Sequence, residues 1–70
     1  METKTFWWDE IAMELVEVTD PAQLDGDEWE PTGKRIGAAE EWRTDRHEGW
    51  LITAYSYSEA EASLRIALAP

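Results

Sequence analysis

The sequence contains no cysteine and a single histidine, His47. Without cysteine, neither a disulfide nor a thiolate metal cluster can reinforce the fold. Without a second histidine, no His-x-x-x-His zinc pair can form, and His47 itself lies in a polar stretch where a solvent-facing turn residue is usual. Phosphate-binding glycine patterns and the Gly-x-Ser-x-Gly elbow of serine hydrolases are also missing. We therefore expect no enzymatic activity, no bound metal and no cofactor.

Basic residues are also scarce, since six Lys and Arg face sixteen Asp and Glu, for a formal charge of −10 at pH 7. A protein that binds nucleic acid directly needs a basic footprint, and an anionic membrane surface would repel this chain. The apolar runs are a few residues long, far below the roughly 20 residues of a membrane-spanning helix. We expect a cytoplasmic protein that binds neither nucleic acid nor membrane directly.

The length of 70 residues predicts one small acidic domain over residues 1–70. A domain of this size buries only about 60% of the surface that its unfolded chain exposes. Five Trp, two Tyr and one Phe must therefore supply much of the core. Because the tryptophans are spread along the whole chain, the composition favours an ordered domain in spite of the high charge.

The second half of the sequence predicts an antiparallel β-hairpin. Residues 50–56 are rich in aromatic and β-branched side chains, and alternation places Trp50, Ile52 and Ala54 on one face. Residues 36–44 are predicted to form a second strand. The prediction is weaker here, because the segment includes a glycine and two alanines. A polar segment that ends in glycine joins the two strands, as in many hairpin loops.

A helix over about residues 58–69 follows the hairpin. Ser58 and Glu61 have the spacing of a capping box, and Ser56 with Glu59 offers the same pairing two residues earlier. One helical stripe is apolar. It consists of Ala60, Leu64, Ala67 and Leu68. The predicted fold is α+β, with the hairpin followed by this C-terminal helix.

The N-terminal segment 6–18 has two interpretations. As a helix it places Glu10, Glu14 and Glu17 on one face and apolar residues on the opposite one. As a strand it alternates through Ile11 and Met13, but the register then breaks. We favour the helix; the strand alternative gives a βββα arrangement. Residues 20–34, with two prolines and two glycines, predict a loop.

Acidic residues concentrate in the first part of the chain, since residues 1–30 hold ten of the sixteen acids and one of the six bases. A metal-binding role for the acids between 25 and 30 is not favoured, because their spacing lacks the EF-hand plan. These acids, with neighbouring tryptophans, form instead a candidate partner-binding surface. It consists of Glu10, Glu14, Glu17, Asp20, Asp25, Asp27, Glu28, Glu30, Trp7 and Trp29.

Carboxylates in a row can imitate the phosphates of nucleic acid, which place one charge per about 1.7 Å along the duplex axis. Such a row would occupy the basic groove of a nucleic-acid-binding protein, and tryptophans beside it would anchor the contact. The small, acidic, aromatic-rich composition is similar to that of phage-encoded inhibitors, including anti-CRISPR and antirestriction proteins, some of which are DNA mimics. The resemblance covers composition only, and no motif carries it. It implies a non-enzymatic inhibitor.

A second hypothesis is a small structural or assembly subunit that packs through exposed aromatic side chains. A homodimer is one form of it, in which the basic residues of one copy meet the acidic row of the other. These basic residues lie in an otherwise neutral stretch. They are Lys34, Arg35, Arg43 and Arg46.

Overall fold

The computed structural model of the chain describes residues 2–20 and 29–70. These residues form a five-stranded sheet and a C-terminal helix. The elements are β1 (Lys4–Asp9), β2 (Val16–Glu17), β3 (Glu30–Ile36), β4 (Ala39–Arg43), β5 (Glu48–Ala54) and α1 (Tyr57–Leu68). All neighbouring strands are antiparallel, in the order β2-β1-β5-β4-β3. The α+β class, with a hairpin followed by a C-terminal helix, is confirmed. No helix in these two ranges is long and apolar enough to cross a membrane.

The segment 6–18 is a hairpin, and the helix favoured above is wrong. β1 ends at Asp9, whose Oδ1 accepts the backbone N–H groups of Ile11 at 2.9 Å and Ala12 at 2.8 Å. The N–H of Met13 donates to the backbone oxygen of Asp9 at 2.8 Å. Asp9 therefore caps a single turn, and no helix follows because Met13, with a φ of 53°, leaves the right-handed helical path.

The strand alternative is correct for the aromatic residues before this turn. They lie in β1, which pairs with β2 on one side and with β5 on the other. Phe6 is opposite Ile52 of β5 on one side and Glu17 of β2 on the other. Aromatic side chains suit a pleated, half-buried surface, and this preference outweighs the helical spacing of the acids.

A strand also occupies part of the predicted loop 20–34, because β3 begins at Glu30. Its register with β4 shifts between Pro31 and Arg35, and Gly33 in that interval has a φ of +90°. Gly37, with a φ of +58°, turns the chain into β4. Proline and glycine are tolerated here because β3 is an edge strand with an irregular register.

The core lies between one face of the sheet and α1. Phe6 and Ile52, both at most 1% exposed, are its largest fully buried side chains. The predicted alternation in β5 is confirmed, since Trp50, Ile52 and Ala54 are all buried. In α1 the predicted stripe is buried through Ala60, Leu64 and Ala67, whereas Leu68 near the helix end is 48% exposed.

The helix begins at the earlier of the two predicted caps. Ser56 has extended backbone angles, and its Oγ accepts the backbone N–H of Glu59 at 3.2 Å. We expect Ser56→Ala to lower the free energy of unfolding by about 1 kcal/mol, because this N–H loses its acceptor. Ser58→Ala, inside the first turn, is the matched control and should change it by less than about 0.5 kcal/mol. Urea unfolding measures both, and equal effects would contradict the assignment of the cap.

Candidate functional site

Trp7 packs on the sheet face opposite the helix and is 5% exposed. Its indole lies over Gly49 of β5, where an added Cβ would be 2.5 Å from Cζ2 of the ring. The ring nitrogen Nε1 donates to Oδ2 of Asp9 at 2.8 Å. Trp29 meets the indole edge to face, with ring centroids 4.9 Å apart. The two candidate tryptophans are therefore brought together, and Trp7 offers little surface to a partner in this arrangement.

The other three tryptophans also contribute to packing. Trp50 is 4% exposed, Trp8 packs against the helix-side core, and Trp42 is partly buried. The Nε1 of Trp42 is buried, with no hydrogen-bond acceptor among the residues that the structure describes. The tryptophan count thus reflects two packed sheet faces more than a tryptophan-covered surface.

Two of the candidate carboxylates, Glu10 and Glu30, lie at one end of the sheet, beside the β4–β5 turn. Oε1 of Glu10 accepts the backbone N–H of Glu48 at 3.1 Å and lies 3.5 Å from Nδ1 of His47, an ion pair when the imidazole is protonated. Glu30 is opposite Arg43 in the β3–β4 register. These two acids are therefore interspersed with basic groups.

Three further candidate acids follow the outer edge of the sheet. Glu14 precedes β2, Glu17 lies in β2, and Asp20 follows it, and all three are exposed. They are not a helix face, because the helix does not form, but they share the β2 side of the molecule. We call Glu14, Glu17 and Asp20 the acidic edge. The remaining candidates, Asp25, Asp27 and Glu28, lie outside the described residues.

Charge is distributed unevenly across the sheet. Between Lys4 and Lys34 the sequence has nine acids and no Lys, Arg or His. The topology places β2 at one edge and β3, with Lys34 and Arg35, at the other. Arg35 is paired with Glu40, at 2.7 Å between Nη2 and Oε2. Among the described residues, the acids on the β2 side are those of the acidic edge, with Lys4 in the adjacent β1, and the β3 side is mixed.

The turn between β1 and β2 carries two exposed apolar side chains that sequence reasoning missed. Ile11 is 60% exposed and Met13 is 73% exposed. The helix interpretation had placed Ile11 on the buried face. Asp9, as a turn-forming residue directly after an aromatic run, was the sequence signal that could have located this turn. We call Ile11 and Met13, which follow β1, the hairpin tip.

A polar cleft of about 550 Å³ lies at the same end of the sheet. Trp29, Glu30, Arg43, Thr44 and Asp45 line it. The side chains that line it include no serine or cysteine nucleophile, and the described part of the chain has no group of three or more His, Cys, Asp or Glu arranged to hold a metal ion. Nothing in this cleft favours a specific reaction.

Comparison with known proteins gives no relative to argue from. No protein-family model, no curated protein and no solved structure matches the chain. The functional argument therefore depends on the geometry and the charge of the chain itself.

Proposed function

We propose that the chain is a non-enzymatic inhibitor that acts in the cytoplasm. Its acidic edge docks on a basic surface of another protein, most simply the groove with which that protein binds nucleic acid. The observation that carries the proposal is the uneven charge, with nine acids and no basic residue between Lys4 and Lys34. The chain would thus inhibit its partner as a DNA mimic, in the manner of some anti-CRISPR and antirestriction inhibitors.

The acidic edge suits such a contact because its side chains are exposed and lie along a short outer strand. Among the described residues neither Glu14 nor Glu17 forms an ion pair, and the nearest base on the neighbouring strand is Lys4. Opposite charges on two proteins accelerate their association by about 10- to 1000-fold at low salt. Binding of this kind weakens as the salt concentration rises, because ions screen exposed charges.

The partner can be isolated with the immobilised chain. Lysate of the source cells is applied at low ionic strength, and retained proteins are eluted at high ionic strength and purified. The proposal requires that the eluted protein itself binds DNA or RNA and that this chain competes with the nucleic acid. An eluted protein without nucleic-acid binding, or an affinity that does not change with salt, would contradict it.

Reversing charge on the acidic edge should weaken this complex. We expect Glu14→Lys with Glu17→Lys to raise the dissociation constant by at least about 10-fold at low salt and to reduce its salt dependence. The matched control, Glu59→Lys with Glu61→Lys, makes the same change in charge on α1 and should raise it by less than about 3-fold. Isothermal titration calorimetry across a salt series measures both. Equal effects of the two pairs would remove the acidic edge as the docking surface.

A second candidate function is that of an assembly subunit. Exposed apolar side chains on α1 favour it, since Ile66 is 65% and Leu68 is 48% exposed. Contact through this helix would be driven by buried apolar area and would tolerate salt. Sedimentation at several concentrations tests the homodimer form, which a monomer at high concentration would exclude.

A further inference from the structure

We propose that the hairpin tip is an apolar anchor that enters a pocket of the partner protein, and that basic residues surround this pocket. The inference rests on the proposed function and adds the chemistry of the contact. Ile11 and Met13 expose 60% and 73% of their surface. Interfaces commonly depend on a few side chains that fill pockets while charged groups at the rim set orientation.

The tip is held rigidly by Asp9. One carboxylate oxygen accepts the N–H groups of Ile11 and Ala12, and the other accepts the indole N–H of Trp7. The backbone oxygen of the same residue accepts the N–H of Met13. Because Trp7 is itself packed against Gly49, the turn is fixed to the centre of the sheet. A turn that is already ordered loses little conformational entropy when it binds.

The residue at position 13 is not the one that stability alone would favour. Met13 has a φ of 53°, in the left-handed region that glycine adopts without steric cost. The Met13 side chain is 73% exposed, so its burial contributes little to the stability of the domain. Strain at an exposed apolar side chain is typical of positions that serve a contact with another molecule.

The charge around the tip defines the partner. Asp9, Glu10 and Glu14 flank Ile11 and Met13 in sequence, and the bases at this end, such as His47 at 3.5 Å from Glu10, lie on the β4–β5 turn. An anionic lipid surface would repel this end of the molecule. A second copy is disfavoured as well, because each chain carries a formal charge of −10. The complementary occupant is a protein pocket with apolar walls and lysine or arginine at its rim.

The experiment uses the partner protein purified as described above. Met13→Gly removes the apolar side chain and relieves the left-handed strain, so the variant should remain folded. We expect it to raise the dissociation constant by at least about 10-fold while leaving its salt dependence unchanged. Ile11→Ser should act in the same direction. Ile66→Ser is the matched control, because Ile66 is 65% exposed but lies on α1, and it should change the dissociation constant by less than about 2-fold.

The outcomes separate this inference from the proposed function. If the charge-reversed acidic edge weakens binding but Met13→Gly and Ile11→Ser do not, the docking surface stands and the anchor is overturned. If the tip variants and Ile66→Ser weaken binding equally, the anchor is also overturned. If neither charge reversal nor tip substitution has an effect, or if the wild-type chain retains no partner, both proposals fail. Unfolding curves in urea confirm that each variant is folded.

Discussion

Phe6→Ala is expected to remove most of the stability of the domain, lowering the free energy of unfolding by about 3–5 kcal/mol. Phe6 is 1% exposed, lies between β2 and β5, and meets the ring of Tyr57 edge to face at 6.2 Å. Removing its ring leaves a cavity that three elements border. A domain of this length has a total stability of only about 3.5–10 kcal/mol, at about 0.05–0.15 kcal/mol per residue.

Urea unfolding followed by tryptophan fluorescence measures this loss. Tyr57→Ala is the matched control, since it removes the other ring of the same pair. Tyr57 is 51% exposed, so its loss should cost about 0.5–1.5 kcal/mol. If both variants lost the same stability, Phe6 would not be the centre of the core.

Gly49→Ala is expected to lower the free energy of unfolding by about 1–3 kcal/mol, although it adds a single methyl group. The new Cβ would stand 2.5 Å and 2.6 Å from ring carbons of Trp7 and 3.0 Å from the backbone oxygen of Trp8. The indole cannot move away freely, because its Nε1 is hydrogen-bonded to Asp9 and its ring packs in a T-shaped contact with Trp29.

A double-mutant cycle tests this cause directly. In a Trp7→Leu background the ring is absent, so the additional cost of Gly49→Ala should fall to less than half of its cost in the wild-type chain. Strictly additive losses of stability would show that the indole is not the obstacle.

Local patterns predicted the C-terminal half well. The alternation of Trp50, Ile52 and Ala54 and the serine before α1 are signals carried by a few adjacent residues. β3 could not be found this way, because its residues are mostly polar and include Pro31 and Gly33. That strand exists because β4 offers it a pairing edge, and pairing between strands is not a property of one segment.

The N-terminal segment shows a different limit. The spacing of Glu10, Glu14 and Glu17 is helical, but Asp9 redirects the backbone into a turn and Phe6 pairs with two strands. The identities of the acids could be read from the sequence, whereas their arrangement along a sheet edge could not. Whether they bind a partner stays a prediction.

Both outer strands of the sheet are poor templates for strand-by-strand growth. β2 consists of two residues, Val16–Glu17. β3 contains Pro31, which has no N–H to donate, and its register with β4 slips before Arg35. A foreign chain would therefore find no continuous backbone ladder to extend on either flank. This geometry disfavours fibre formation, and a contact at either edge of the sheet would depend on side chains rather than on main-chain hydrogen bonds.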